Sequence, residues 1–211
     1  MKKAPKLKKS RQLVEDLIDA TSLAIAQRGL SGLTTYLVAD LAGVGTGSVY
    51  QYFHDKEDLL NSLFDRLELG LTRTLEKQQL IVTGNDIDSL IAAMVESAAQ
   101  LLGGKNTLYL ELARNWQNIP MERFAVIICQ WVLARLQELT PDNAGLPDDL
   151  AERIFIGFNS VLHTMVQLYK QENSTVREAE VIANLCRTVA YCLKHPAASC
   201  HAIQPPSAKA A

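Results

Sequence analysis

Two hydroxyls, two phenols, an amide and three glycines crowd into the stretch Ala42 to Leu60, AGVGTGSVYQYFHDKEDLL. Stepping 100° per residue from Gly45 gathers Thr46, Gly47, Tyr50 and Gln51 on one face of a short helix, and Val49, Phe53 and the edge of Tyr52 on the other. The apolar face is small and suited to seating the helix. The polar face has no paired carboxylates, no nucleophile beside a base and no metal-ligand spacing. Its chemistry is hydrogen bonding at close range to a polar lattice such as a phosphate backbone.

Charge is distributed to match. The 211 residues carry a net charge of −2, but residues 1–54 hold seven Lys or Arg against four acids, and the remainder is acidic. Lys2, Lys3, Lys6, Lys8, Lys9 and Arg11 form a basic arm around Pro5 that is expected to be mobile when free and able to meet phosphates. A basic front and an acidic back fit a chain that presents one end to a polyanion.

Other chemistries lack their residues. No GxSxG, HExxH, P-loop or dinucleotide fingerprint occurs, and the four histidines are not grouped with carboxylates, so no catalytic residue, cofactor or metal is expected and the chain is not read as an enzyme. Cys129, Cys186, Cys192 and Cys200 form no CxxC pair and read as reduced thiols. Cys186 and Cys192 are six apart, about 120° around a helix, which argues against a redox pair. The apolar run from Phe124 to Leu136 is too short for a bilayer and is broken by Gln130 and Arg135, so no membrane partner is expected. The start MKKAPKLKKSRQ lacks the apolar segment of a secretion signal, and a cytoplasmic location is the default expectation.

The elements that must position the polar face are all helical, and a 48% hydrophobic chain has enough apolar surface for a sizeable core. The pattern predicts nine helices. The first runs from Ser10 to Arg28 with Val14, Leu17, Ile18, Thr21, Ala24 and Ile25 inward, closed by Gly29. Thr34 caps a second that buries Leu37, Val38, Leu41 and Ala42, closed by Gly43. With the short third helix these make a helix-turn-helix. Asp55, with Asp58 at N3, caps a fourth helix that reaches Gln79 on a stripe of Leu59, Leu60, Leu63, Leu67, Leu71 and Leu75. Further helices are expected over 86–102, 107–116, 120–139 (with Pro120 at the first helical position), 148–170 and 174–193. The domains are read as 1–54, 55–195 and a flexible tail over 196–211.

The eighth helix is apolar over half its circumference. Leu150, Ile154, Phe158, Val161, Met165 and Leu168 make one line; Phe155, Leu162, Val166 and Tyr169 make a second. One line serves the chain's own core, and the second, with Ile182, Cys186 and Val189 of the ninth helix, is expected to pair two copies through four helices. Met94, Tyr109, Trp116, Phe124, Trp131 and Phe158 supply aromatic and soft apolar surface for a ligand, with Asn159 and His163 as polar groups. Core packing alone is the other reading of these residues.

In this order, Ala42, Gly43, Val44, Gly47, Tyr50, Tyr52, Phe53, Lys56, Glu57 and Leu59 resemble the N-terminal domain of the TetR family of bacterial transcriptional regulators, over about Leu13 to Leu63. The resemblance implies a homodimeric, DNA-binding transcriptional regulator, a repressor on a palindromic operator in double-stranded DNA. It also implies a C-terminal helical domain that takes a small-molecule effector and thereby releases the operator. Carried over by position, Thr46, Gly47, Ser48 and Tyr50 face DNA, Tyr52 lies nearby, Lys56 contacts phosphate, and Thr34 and Tyr36 lie against the backbone. Gly45 stands where the family usually has Ser, Thr46 where Lys is common, and Leu33 where a capping Thr is usual. These departures imply that affinity leans on the lysine arm and Lys56. The alternatives are a regulator answering to a partner protein docked on the acidic domain and, more remotely, an all-helical enzyme. Coupling is expected through the fourth helix as the one link between reader and larger domain.

Overall fold

The computed structural model describes residues 8–79, 87–103, 107–139, 148–170 and 178–194, and among these every regular element is helical. The helices are α1 (Lys8–Arg28), α2 (Thr35–Leu41), α3 (Thr46–Tyr52), α4 (Lys56–Gln79), α5 (Ile87–Gly103), α6 (Thr107–Arg114), α7 (Met121–Leu139), α8 (Leu150–Lys170) and α9 (Glu178–Lys194). The chain is all-α, with an N-terminal helix-turn-helix and a larger C-terminal helical bundle. Lys2, Lys3 and Lys6 of the expected arm, the cap Ser174, Cys200 and the 196–211 tail lie outside the described residues. Lys8, Lys9 and Arg11 are the exposed first turn of α1 rather than part of an unstructured arm.

Local chemistry fixes the first three helices. Gly29 closes α1 by donating from its amide to the Ile25 carbonyl at 2.8 Å, and its φ of 71° with ψ of 172° is open only to glycine. Thr34 caps α2, its Oγ1 accepting from the Leu37 amide at 3.1 Å. Leu33, standing in the position of the family's usual cap, is instead buried in the core. Gly43 ends α2 at φ 66°; its amide donates to the Asp40 carbonyl at 3.1 Å, and that of Val44 donates to Ala39 at 3.0 Å. This is a Schellman closure, with half-buried Val44 supplying its apolar contact. It fixes the angle at which α3 leaves α2.

The start of α4 has the expected reciprocal cap with one change of partner. Asp55 Oδ1 accepts from the Asp58 amide at 2.9 Å, while Asp58 Oδ2 accepts from the amide of His54, one residue upstream of the cap, also at 2.9 Å. Pro120 lies just before α7 rather than in it, its carbonyl accepting from Arg123 at 3.1 Å. Trp116 falls outside α6, in a 3-10 turn.

Two apolar cores share α6. The first takes in Leu17, Ile25, Leu33, Val38, Val49 and Phe53 with Leu59, Leu63 and Phe64 of α4, and also Leu108, Leu112 and Ile119. The expected division at residue 55 therefore falls inside a continuous core. The second gathers α5, α7, α8 and α9 around Leu90, Val95, Leu136, Ile154 and Met165. Gly103 allows the end of α5 to pack on Tyr169, since a Cβ there would stand 2.7 Å from the ring. No described helix is long and apolar enough to cross a membrane.

Candidate nucleic-acid interface and ligand cavity

Helix α3 is seated by its apolar residues and offers the rest. Val49 and the following Phe53 are fully buried, while Gly47, Tyr50 and Gln51 are exposed and Thr46 and Ser48 half-buried. Tyr52 departs from the expected set. It is only 9% exposed and packs in the core with Val49, whereas Tyr50 is 47% exposed, because two residues on a helix set the rings about 200° apart. Of the two tyrosines, Tyr50 is the exposed one.

Thr35, not anticipated as a site residue, holds that ring. Its Oγ1 lies 3.1 Å from the Tyr50 Oη, tying the first residue of α2 to α3 across the exposed face. Nothing in its type or position in the sequence announced this contact. Exposed Thr34 and Tyr36 flank it, and Lys56 is exposed at the start of α4, beyond the Asp55 cap. A Cβ on Gly47 would meet nothing within 4 Å, so the chain's own packing does not require glycine there. Gly45 gives α3 no side-chain cap. Between Arg28 and Lys56 there is no Lys or Arg, so positive charge on this end comes from Lys8, Lys9, Arg11, Arg28 and Lys56 among the described residues.

The larger bundle holds a cavity of about 380 Å³, lined by α4 to α9 and open to solvent on one side, where Gly70, Thr74 and Leu101 are exposed. Of the residues expected around a ligand, Met94, Tyr109, Phe124 and Phe158 line it; Trp116, Trp131, Asn159 and His163 do not. Trp116 is exposed in its turn and Trp131 packs on the second core. Asn159 and His163 sit with Phe155, Ile156, Ser160 and Thr164 along a shallow groove on the outer face of α8. They are one turn apart on the side opposite Ile154 and Met165, so the turn that buries those residues carries Asn159 and His163 outward. The α4 residues Leu67, Gly70, Leu71 and Thr74 form a wall not foreseen from sequence. A glycine inside a leucine stripe was its available signal.

The expected pairing face is also redrawn. Val166 and Val189 are buried, and Leu162, Tyr169, Ile182 and Cys186 pack against the same core. Helices α5, α6, α7 and α9 all pack on α8, so part of the second apolar line serves the chain's own core. Exposed apolar surface remains at Phe155 (51%), Ile156 (60%) and Tyr191 (64%). Arg153 joins α8 to α9 from a buried position, donating from Nε to Asp149 Oδ1 at 2.5 Å and from Nη1 to the Cys192 carbonyl at 2.8 Å. Cys129, Cys186 and Cys192 are free, and burial raises the first two above the ordinary thiol range.

Two routes join the reader to the cavity, where α4 alone was expected. Arg66 of α4 donates to Asp19 Oδ1 at 2.6 Å and to Ser22 Oγ at 3.1 Å on α1, while Arg123 of α7 holds Asp65 and Glu68 on the other side of α4. Separately, Thr107 Oγ1 at the start of α6 donates to the Ala26 carbonyl of α1 at 2.9 Å. Leu108 and Leu112 carry α6 into the reader core, so tertiary packing gives the reader a second contact with the bundle.

Comparison with known proteins agrees with this arrangement. The family profile "Bacterial regulatory proteins, tetR family" matches residues 17–63. Over 46 residues the chain is 54% identical to the HTH-type transcriptional regulator BetI of Paraburkholderia phymatum, a match that spans 22% of this chain and 24% of that relative. The chain is thus matched to about a quarter of that protein's length. The whole fold resembles the crystal structure of a TetR-family transcriptional regulator from Mesorhizobium loti MAFF303099, with a TM-score of 0.65 at 17% identity over 88% of this chain and 97% of that one. It also resembles RolR in complex with resorcinol, with a TM-score of 0.64 at 14% identity over 89% and 90%. The reader, residues 17–63, thus carries the tetR-family signature, and the described helices are arranged as in solved TetR-family structures.

Proposed function

We propose that the protein is a cytoplasmic transcriptional repressor that binds a palindromic operator as a homodimer and leaves it when a small, mainly apolar molecule enters the cavity. The observation that carries this reading is the double duty of α4. Its first half, Leu59 to Phe64, belongs to the reader core, and its second, Leu67 to Thr74, is cavity wall. A ligand that repositions the wall acts on the helix that seats the reader. Thr46, Gly47, Ser48 and Tyr50 read DNA, with Thr34, Tyr36 and Lys56 against its backbone and Thr35 orienting Tyr50.

The two copies meet through the outer faces of α8 and α9, where Phe155, Ile156 and Tyr191 remain exposed. That contact sets the separation of the two α3 helices, which must be roughly 34 to 36 Å to enter successive major grooves. RolR, solved with resorcinol, supports a small ring compound as the kind of ligand such a fold accepts. The cavity favours this reading over control by a partner protein docked on the acidic domain.

The test is binding of the full chain to palindromes from DNA next to its own coding sequence, with and without candidate ligands. Tight, salt-dependent binding of a dimer to one palindrome, relieved by a cavity ligand, is the expected result. A monomer that binds all duplexes equally overturns the proposal.

A further inference from the structure

We propose that the ligand is electrically neutral and carries one hydrogen-bonding group, anchored by Tyr109. This deepens the effector reading and rests on it. No Lys, Arg, His, Asp or Glu lines the cavity among the described residues, and Thr74 and Tyr109 are its polar side chains. A carboxylate or ammonium drawn fully inside loses its hydration without gaining a counter-charge, a cost apolar contacts do not offset. A neutral alcohol, phenol, ketone or ester loses far less.

The two polar residues are not equivalent. Thr74 Oγ1 donates to the Gly70 carbonyl at 2.9 Å, so its proton is committed within α4 and it can only accept. The Tyr109 hydroxyl makes no hydrogen bond among the described residues, leaving it able to donate or accept. Phe124 and Phe158 provide apolar wall for the rest of the molecule. Tyr109 also follows Leu108, which packs in the reader core, and Thr107, which bonds α1, so a ligand held there pulls on α6 as well as on α4. Tyr109 is thereby a specificity-determining residue.

The test is calorimetric titration of the full chain near pH 7 with four probes on one skeleton: 4-phenylbutan-1-ol, 4-phenylbutanoate, 4-phenylbutan-1-aminium and butylbenzene. The alcohol is expected to bind most tightly, with both ions weaker by about a hundredfold or more. Tyr109→Phe is expected to weaken the alcohol by about five- to tenfold and to leave butylbenzene unchanged, a split that damaged packing would not produce. Either ion binding within about threefold of the alcohol overturns neutrality, and an unchanged alcohol affinity in Tyr109→Phe overturns the anchor, both with the effector reading intact. Failure of all four probes to bind overturns the effector reading together with this inference.

Discussion

Arg123 of α7 and Asp65 of α4 meet at 2.6 Å, Nη2 to Oδ1, and the same guanidinium also engages Glu68 one turn on. Phe124, the next residue, lines the cavity, and Phe64, the residue before Asp65, is buried in the reader core. The rings of Phe64 and Phe124 pack edge to face with centroids 6.2 Å apart. One charged and one aromatic contact thus join the cavity wall to the reader at the same level of α4. Partly exposed ion pairs contribute little stability, about 1 kcal/mol or less. Arg123→Gln should therefore leave the melting temperature nearly unchanged while reducing the loss of operator affinity that a cavity ligand causes. Operator titrations with and without 4-phenylbutan-1-ol check this, and a ligand response equal to that of the unsubstituted chain would sink the coupling role.

Thr35 and Tyr50 should behave as a pair in DNA binding. Thr35→Val removes the hydroxyl that holds the Tyr50 ring, and Tyr50→Ala removes the ring. Each should weaken operator binding by roughly 1–3 kcal/mol without unfolding the protein, and the double substitution should cost less than the sum. Neither hydroxyl neutralises phosphate charge, so the salt dependence should keep its slope. Fluorescence anisotropy over a salt series measures both quantities.

Phe53 answers to a different measurement. It is fully buried at the end of α3, and Phe53→Ala should destabilise the reader by roughly 3–5 kcal/mol through the cavity it leaves. Denaturant unfolding reads this directly. A destabilisation no larger than that of an exposed substitution such as Gln51→Ala would show that the site collapses around the gap.

Asp58 gives the stability a defined acid limb. The backbone N–H of His54 donates to its carboxylate and holds its pKa below the ordinary 3.8. A depressed folded pKa means the contribution is fully present above the unfolded value and is lost as pH falls through the folded one. The stability difference between the unsubstituted chain and Asp58→Asn should be constant from about pH 7 to about pH 5 and shrink below about pH 4. A difference that stays flat into that acid range would remove the carboxylate from the account.

Gly70 lies inside α4, lines the cavity, and has room for a Cβ with nothing within 4 Å. Glycine inside a helix costs about 0.5–1 kcal/mol relative to alanine, so Gly70→Ala should stabilise the free protein by about that much. The added methyl also enters the ligand's space, so affinity for 4-phenylbutan-1-ol should fall. Higher melting temperature with unchanged probe affinity would place the ligand away from this wall.

The sequence by itself determined the helices, their caps and the polar face of α3. Each depends on contacts within a few residues: the Thr34 cap, the Gly43 closure, the Asp55 and Asp58 pair, and the apolar spacing of Val49 and Phe53. Only the tertiary structure decided how apolar faces were shared among distant helices. Periodicity gave Tyr52 an edge position, and packing buried it; it gave α8 two apolar lines, and its neighbours covered the first and part of the second, leaving Phe155 exposed. Asn159 and His163 were expected as polar groups of the cavity, yet helix rotation carries them to the outer surface while Gly70 and Thr74 come to the wall. The α6 contact with the reader joins Thr107 to Ala26, 81 residues apart. No local spacing encodes such a contact, because it arises when two independently specified helices bury their apolar faces against each other.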